Sequence, residues 1–167
     1  LPKSTIEPGE VVPVTVKWNP SSPDSDFRKE AYILTSDPER PTVVLVVRGK
    51  VVESIRLTPA ELTLGSITST STLTTEAQVL CNLEGAFTVL GHEFTNPDTA
   101  EYFAVAIRPL TAPESERAGA KSGFAVGIDV KPGLPLGALL QTIRLRTNWP
   151  GKEFVELPVR GQVVGVF

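Results

Sequence analysis

The 167-residue sequence has no methionine, one cysteine and one histidine, and these scarcities narrow its chemistry before any motif is sought. With Cys81 alone, no internal disulfide can form, and the redox compartment is left open. Its setting, Val79-Leu80-Cys81, is that of a small buried hydrophobe. The missing methionine leads us to expect an excised domain or mature fragment, with any targeting signal out of view. Lysine and arginine nowhere cluster and the net charge is -3, so the electrostatic footprint for a phosphate backbone is lacking and no nucleic-acid partner is expected. The longest aliphatic run, Val43 to Val47, is far below the roughly 20 residues of a membrane-spanning helix.

What the sequence has in quantity is punctuation. Its 15 Pro and 13 Gly favour short strands joined by turns over long helices. It also repeats itself. Thr35 to Val52, TSDPERPTVVLVVRGKVV, superposes without a gap on Thr147 to Val164, TNWPGKEFVELPVRGQVV, at an offset of 112, with nine of eighteen positions identical. Chance would give about one or two. Upstream, Ile6-Glu7-Pro8-Gly9 resembles Val130-Lys131-Pro132-Gly133 at an offset of 124, which places a twelve-residue insertion in the first copy, at the polar stretch Asn19 to Asp26. The second copy has about 75 residues before its Pro-Gly turn and the first has seven. We therefore expect two units: 1–52, the C-terminal part of an incomplete first one, and 53–167, a complete one. The strands missing from the first are expected upstream in the parent protein.

Short β-rich runs between turn signals predict strands over 11–18, 27–35 and 42–52 in unit one. Unit two is predicted to have seven, over 54–64, 72–82, 87–94, 102–110, 124–130, 139–147 and 153–164. Seven is the count of an immunoglobulin-like sandwich. In the last of them Val155, Leu157 and Val159 share one face and Glu156, Pro158 and Arg160 the other, giving one buried and one wet side. Pro158 has no backbone donor, which places that strand at an edge or beside a bulge. Gly49 and Gly161 interrupt their strands at the same repeat position, the mark of a bulge or a close backbone approach. Ala112 to Lys121 is polar all round and reads as a loop with one helical turn, and Leu136 to Leu140 as a turn of helix before its strand. The fold class is thus all-β, immunoglobulin-like β-sandwich units in tandem, the first one incomplete.

The opening of unit two, Ile55-Arg56-Leu57-Thr58-Pro59-Ala60-Glu61-Leu62-Thr63-Leu64-Gly65-Ser66-Ile67, resembles the start of the ASH/hydin type of immunoglobulin-like domain. Unit one resembles the C-terminal half of the bacterial domain of unknown function numbered one-five-seven-three. The resemblance rests on Ile6-Glu7-Pro8-Gly9-Glu10, Thr35-Ser36-Asp37-Pro38 and Val47-Arg48-Gly49-Lys50-Val51. The two resemblances cover most of the chain and carry no catalytic residues. The Cys-x-Cys-Thr-like element that such domains commonly place before the Pro-Gly turn has no counterpart. The family resemblance implies an exported bacterial protein, periplasmic, cell-surface or secreted.

The residues offer few chemical constellations. Cys81 and His92 would form a nucleophile pair if a turn near Ala86-Phe87 set them on adjacent antiparallel strands, since the imidazole must lower the thiol pKa and take its proton. Against this stands the apolar strand around the thiol. Glu93, Asp98 and Glu101 offer hard oxygen ligands of the kind calcium takes, at a spacing that matches no known loop and suits a solvated turn. No phosphate loop, nucleophile elbow or zinc helix occurs. We expect no catalytic residue, cofactor or metal. The candidate contact residues are Trp149 in the Asn148-Trp149-Pro150-Gly151 hairpin, Trp18 and His92. The function expected is a structural or protein-interaction module of a larger exported protein, with an unknown protein or cell-envelope partner. Carbohydrate or envelope-polymer binding through exposed aromatics is the alternative. The open edge of unit one is also a candidate for an edge-paired dimer.

Overall fold

The computed structural model describes residues 5–166, so the outermost positions of the two expected units, 1–4 and 167, lie outside the described residues. The chain forms two compact units, Leu1–Glu53 and Ser54–Phe167.

Among its described residues unit one contains a single antiparallel hairpin, β1 (Asp24–Leu34) and β2 (Thr42–Val51), in register from Phe27↔Gly49 to Leu34↔Thr42. The expected strand over 11–18 does not form. Pro13 removes a ladder donor, and no described strand of unit one pairs with the segment, whose β-branched residues other than Val12 are exposed. Before it, Gly9 takes φ 82, and the Glu10 N–H donates to the Glu7 carbonyl at 3.0 Å to close the Pro-Gly turn.

Unit two is an immunoglobulin-like β-sandwich of eight strands: β3 (Ile55–Thr58), β4 (Leu62–Thr68), β5 (Leu73–Cys81), β6 (Val89–Phe94), β7 (Phe103–Pro109), β8 (Ser122–Val130), β9 (Gly137–Thr147) and β10 (Phe154–Val164). One sheet has the order β4-β10-β9-β6 and the other β3-β5-β8-β7. The predicted first strand, 54–64, is two. β3 pairs antiparallel with β5, the chain turns at Pro59, and β4 joins the opposite sheet parallel to β10. A proline cannot donate to the ladder, so the run breaks there and its halves serve different sheets.

The core fills the space between the sheets. Val79, Cys81, Val126, Ile128, Ile143, Leu145, Leu157 and Val159 are all essentially sealed from solvent, each large side chain contributing about 1.5–3 kcal/mol of burial. On β10 the alternation is as expected: Leu157, Val159 and Val163 are buried while Glu156, Arg160 and Gln162 face water. Of the two places expected for Pro158, the strand takes the second: it lies between β4 and β9, away from an edge, with a bulge in its β4 ladder between Arg160 and Gln162, and that ladder begins only at Val159.

Two short helices cap the sandwich, α1 (Pro97–Ala100) and α2 (Ala112–Arg117). The polar α2 is held by a capping box: the Thr111 hydroxyl accepts from the Glu114 N–H and the Glu114 carboxylate from the Thr111 N–H. Leu136 to Leu140 forms no helix. Gly137, at φ 117, ends the turn and the chain runs on as β9, whose Leu139 enters the core.

Candidate functional site

The solvent face of the β4-β10-β9-β6 sheet carries a polar cluster built across three strands. Cross-strand pairing sets Glu93 of β6, Arg144 of β9 and Glu156 of β10 in one row, and Gly91, Arg146 and Phe154 in the next. Arg144 Nη1 donates to Glu93 Oε1 at 2.8 Å and its Nε lies 3.3 Å from Glu156 Oε1. The guanidinium also lies 4.3 Å from the Phe154 ring centroid, a cation–π contact. Two carboxylates and a ring thus surround one arginine. Beside it Gly91, His92, Glu93, Arg146 and Phe154 line a shallow depression of about 180 Å³. Such a surface offers charge, an aromatic edge and hydrogen bonds to a partner. It sets no nucleophile beside a base.

The sequence-derived candidates fall at separate places. Cys81 and His92 do not face each other: β5 and β6 belong to opposite sheets, and the segment between them crosses the sandwich. The thiol is at 0% exposure in the core, and the imidazole is exposed and packs edge-on to Phe94, ring centroids 5.4 Å apart. Glu93 is engaged by Arg144. Asp98 opens α1, where its N–H donates to the Asn96 side chain at 3.1 Å. Glu101 ends that helix, and its charge and hydrogen bond raise the Tyr102 hydroxyl above its usual pKa. Among the described residues no three His, Cys, Asp or Glu side chains come together as metal ligands.

Trp149 is half-buried against the core, with Cζ3 and Cη2 each 3.5 Å from where a side chain on Gly85 would begin. Its ring closes the end of the sandwich. Trp18, in unit one, is 52% exposed, packs edge-on to Phe27 at 6.2 Å, and holds the Lys29 ammonium 4.8 Å from its ring centroid.

The open edge expected of unit one is accompanied by apolar side chains on both faces of its hairpin. Val43 and Val47 on one face and Val44 and Val46 on the other are each 40–46% exposed, and Tyr32 and Leu34 are exposed beside them. The signal was present in the run Val43-Val44-Leu45-Val46-Val47, which does not alternate. A two-faced apolar strand is one that expects cover on both sides.

No family model and no curated protein matches the chain. Among solved structures it is similar to a protein of unknown function from Porphyromonas gingivalis W83, with TM-score 0.47 and 12% identity over 86% of this chain and 68% of that chain. It is similar also to protocadherin gamma C5 EC1-3, with TM-score 0.40 and 9% identity over 84% of this chain and 43% of that chain. A third is zebrafish RET cadherin-like domains 1 to 4, with TM-score 0.41 and 11% identity over 77% of this chain and 32% of that chain. The chain spans less than half the length of those two cadherin chains.

Proposed function

We propose that this chain is a non-catalytic structural or protein-interaction module of a larger exported bacterial protein, of the ASH/hydin-like kind that its turn and strand motifs resemble. Its mechanism is the presentation of sheet faces and edges to a protein partner, with no bond made or broken. The observation that carries the reading is the two-faced apolar hairpin β1–β2, whose four valines at 40–46% exposure have nothing to do in water but meet another surface. The separation of the lone thiol from the lone imidazole supports it, since the most reactive pair the sequence offers is not assembled. A periplasmic, surface or secreted location rests on the resemblance alone. Polymer binding through Trp149 has less in its favour, because that ring packs against the core of unit two.

The test is a photo-crosslinking amino acid at position 44 in the parent bacterium. A discrete protein adduct that Val46→Lys abolishes, with unit two melting unchanged, is the expected outcome. Hydrolytic or transferase turnover by the purified chain that disappears in Cys81→Ala or His92→Ala would overturn the reading.

A further inference from the structure

The hairpin β1–β2 is a structural copy of β9–β10, and the copy separates what such a hairpin needs from what it carries. Adding 112 to each residue turns the pair Phe27↔Gly49 into Leu139↔Gly161 and Leu34↔Thr42 into Arg146↔Phe154, so the two registers are the same. The turns match in their hydrogen bonds: the Thr35 hydroxyl donates to the Arg40 carbonyl at 2.5 Å and the Thr147 hydroxyl to the Lys152 carbonyl at 2.6 Å. One hairpin is built with leucine and threonine beside its turn, the other with arginine and phenylalanine. The Arg146–Phe154 pair is therefore no requirement of the hairpin. It lies on the solvent face of unit two, whose two sheets are both described.

Arg144 and Arg146 stand two residues apart on that face and are used differently. Arg144 is held by Glu93, Glu156 and the Phe154 ring. The Arg146 guanidinium is exposed and has no hydrogen-bond or ion-pair partner among the described residues, although it carries five donors in a rigid fork. It lines the depression together with Gly91, His92, Glu93 and Phe154. Gly91 is its cross-strand neighbour on β6, which ends the sheet among the described residues, and a Cβ there would meet nothing within 4 Å. The absent side chain leaves the guanidinium open to an approach from the sheet edge.

Size, charge and shape select the occupant. A volume of about 180 Å³ is below the roughly 300–1,000 Å³ of sites that enclose a small molecule and suits one side-chain head group of a larger partner. One free guanidinium calls for one negative charge; a dianion such as phosphate would be opposed by Glu93 in the depression and Glu156 behind it, which already share Arg144. The planar fork matches a carboxylate bidentately, and the Phe154 ring, 43% exposed, offers an apolar wall to the methylenes behind it. We propose that this depression is a subsite for an acidic side chain of a partner protein, its carboxylate seated on Arg146 and its stem against Phe154. This deepens the interaction-module reading, on which it rests, by fixing the partner's chemistry at one place. Unit one has Leu34 and Thr42 at the equivalent pair and offers no such subsite.

The probe is the acetylated and amidated pentapeptide Thr-Thr-Glu-Thr-Thr, titrated into the isotope-labelled full chain, with its Gln counterpart and free glutarate beside it. Saturable shifts of the Arg146 side-chain Nε–H and of the Gly91 and His92 amides are expected. The Gln peptide should bind at least about tenfold more weakly, because only the charged head makes a charge-assisted pair. Arg146→Gln should weaken the Glu peptide by the same factor. So should Gly91→Val, which fills the depression and leaves the guanidinium in place. Gly91 is not among the positive-φ glycines and a β-branched residue suits a strand, so an unchanged Tm is expected of both variants. No saturable shift at about 10 mM peptide, roughly ten times a 1 mM Kd, overturns the proposal. Equal binding of the Gln peptide, or equal binding of the Glu peptide by the Arg146→Gln chain, does the same. Glutarate binding more tightly than the Glu peptide would also overturn it, by making a small dicarboxylate the ligand. If the subsite fails while the adduct at position 44 persists, the acidic contact is lost and the interaction module stands.

Discussion

Leu157 and Leu45 occupy the same repeat position, and truncating each to alanine asks how differently one residue can be used twice. Leu157 is at 0% exposure between the two sheets of unit two, so Leu157→Ala leaves a cavity with no solvent to refill it. The expected cost is about 2.7–5 kcal/mol, which for a domain of this size lowers Tm by roughly 10–20 °C. Leu45 is half-buried in a two-stranded sheet with no second sheet over it among the described residues. Its truncation removes apolar area that water already reaches, and should cost below about 1 kcal/mol. The assay is calorimetry on the chain alone at micromolar concentration, with near-ultraviolet circular dichroism to confirm that Leu157→Ala still folds at low temperature. Equal Tm losses from the two variants would refute the reasoning, because they would mean that the hairpin of unit one is sealed as tightly as the core of unit two.

Glu114 should titrate near pH 2. Its carboxyl is lowered to about 2 by the Arg108 guanidinium, which donates to it, and by the Thr111 backbone and hydroxyl. Because the folded value lies below the unfolded one, its stabilising effect is complete above about pH 4.5 and fades as pH falls towards 2. Carboxyl NMR would follow the titration, and Glu114→Gln should remove the acid dependence of α2 order. Gly133→Ala should destabilise unit two by more than about 1 kcal/mol in urea melts. The position has φ 111 and the new Cβ would land 2.8 Å from Tyr102 Cε1, so loss within error would count against that contact. Cys81, at 0% exposure, should resist a thiol reagent in the folded chain and react fully in denaturant, and rapid labelling under native conditions would contradict its burial.

The hairpin pairs, the sandwich and the inward face of β10 were legible because they rest on short-range signals: two-residue alternation, turn chemistry and a gapless repeat. What escaped was decided by neighbours distant in sequence. The stretch 54–64 reads as one strand, and only the presence of two sheets explains why Pro59 divides it. Cys81 and His92 are eleven residues apart, which suggests a hairpin, yet Asn82 to Thr88 carries the chain across the sandwich. Leu136 to Leu140 has the composition of a helical turn, and the pull of Leu139 into the core overrides it. Residues 11–18 have strand composition without a strand beside them, and propensity alone does not make a sheet.

The parallel pairing of β4 with β10 also gives unit two a mechanical character. The chain enters the sandwich through β3 and leaves it through the end of β10, while β4 and β10 lie side by side pointing the same way. Tension drawn along the chain therefore first strips β3, held by only four residue pairs to β5. It then meets β4 and β10 being dragged past each other lengthwise, so that every bridge between them bears load at once and none can open ahead of the rest. A unit threaded in this way meets stretching by shear along the whole β4–β10 ladder and not by peeling it one bridge at a time.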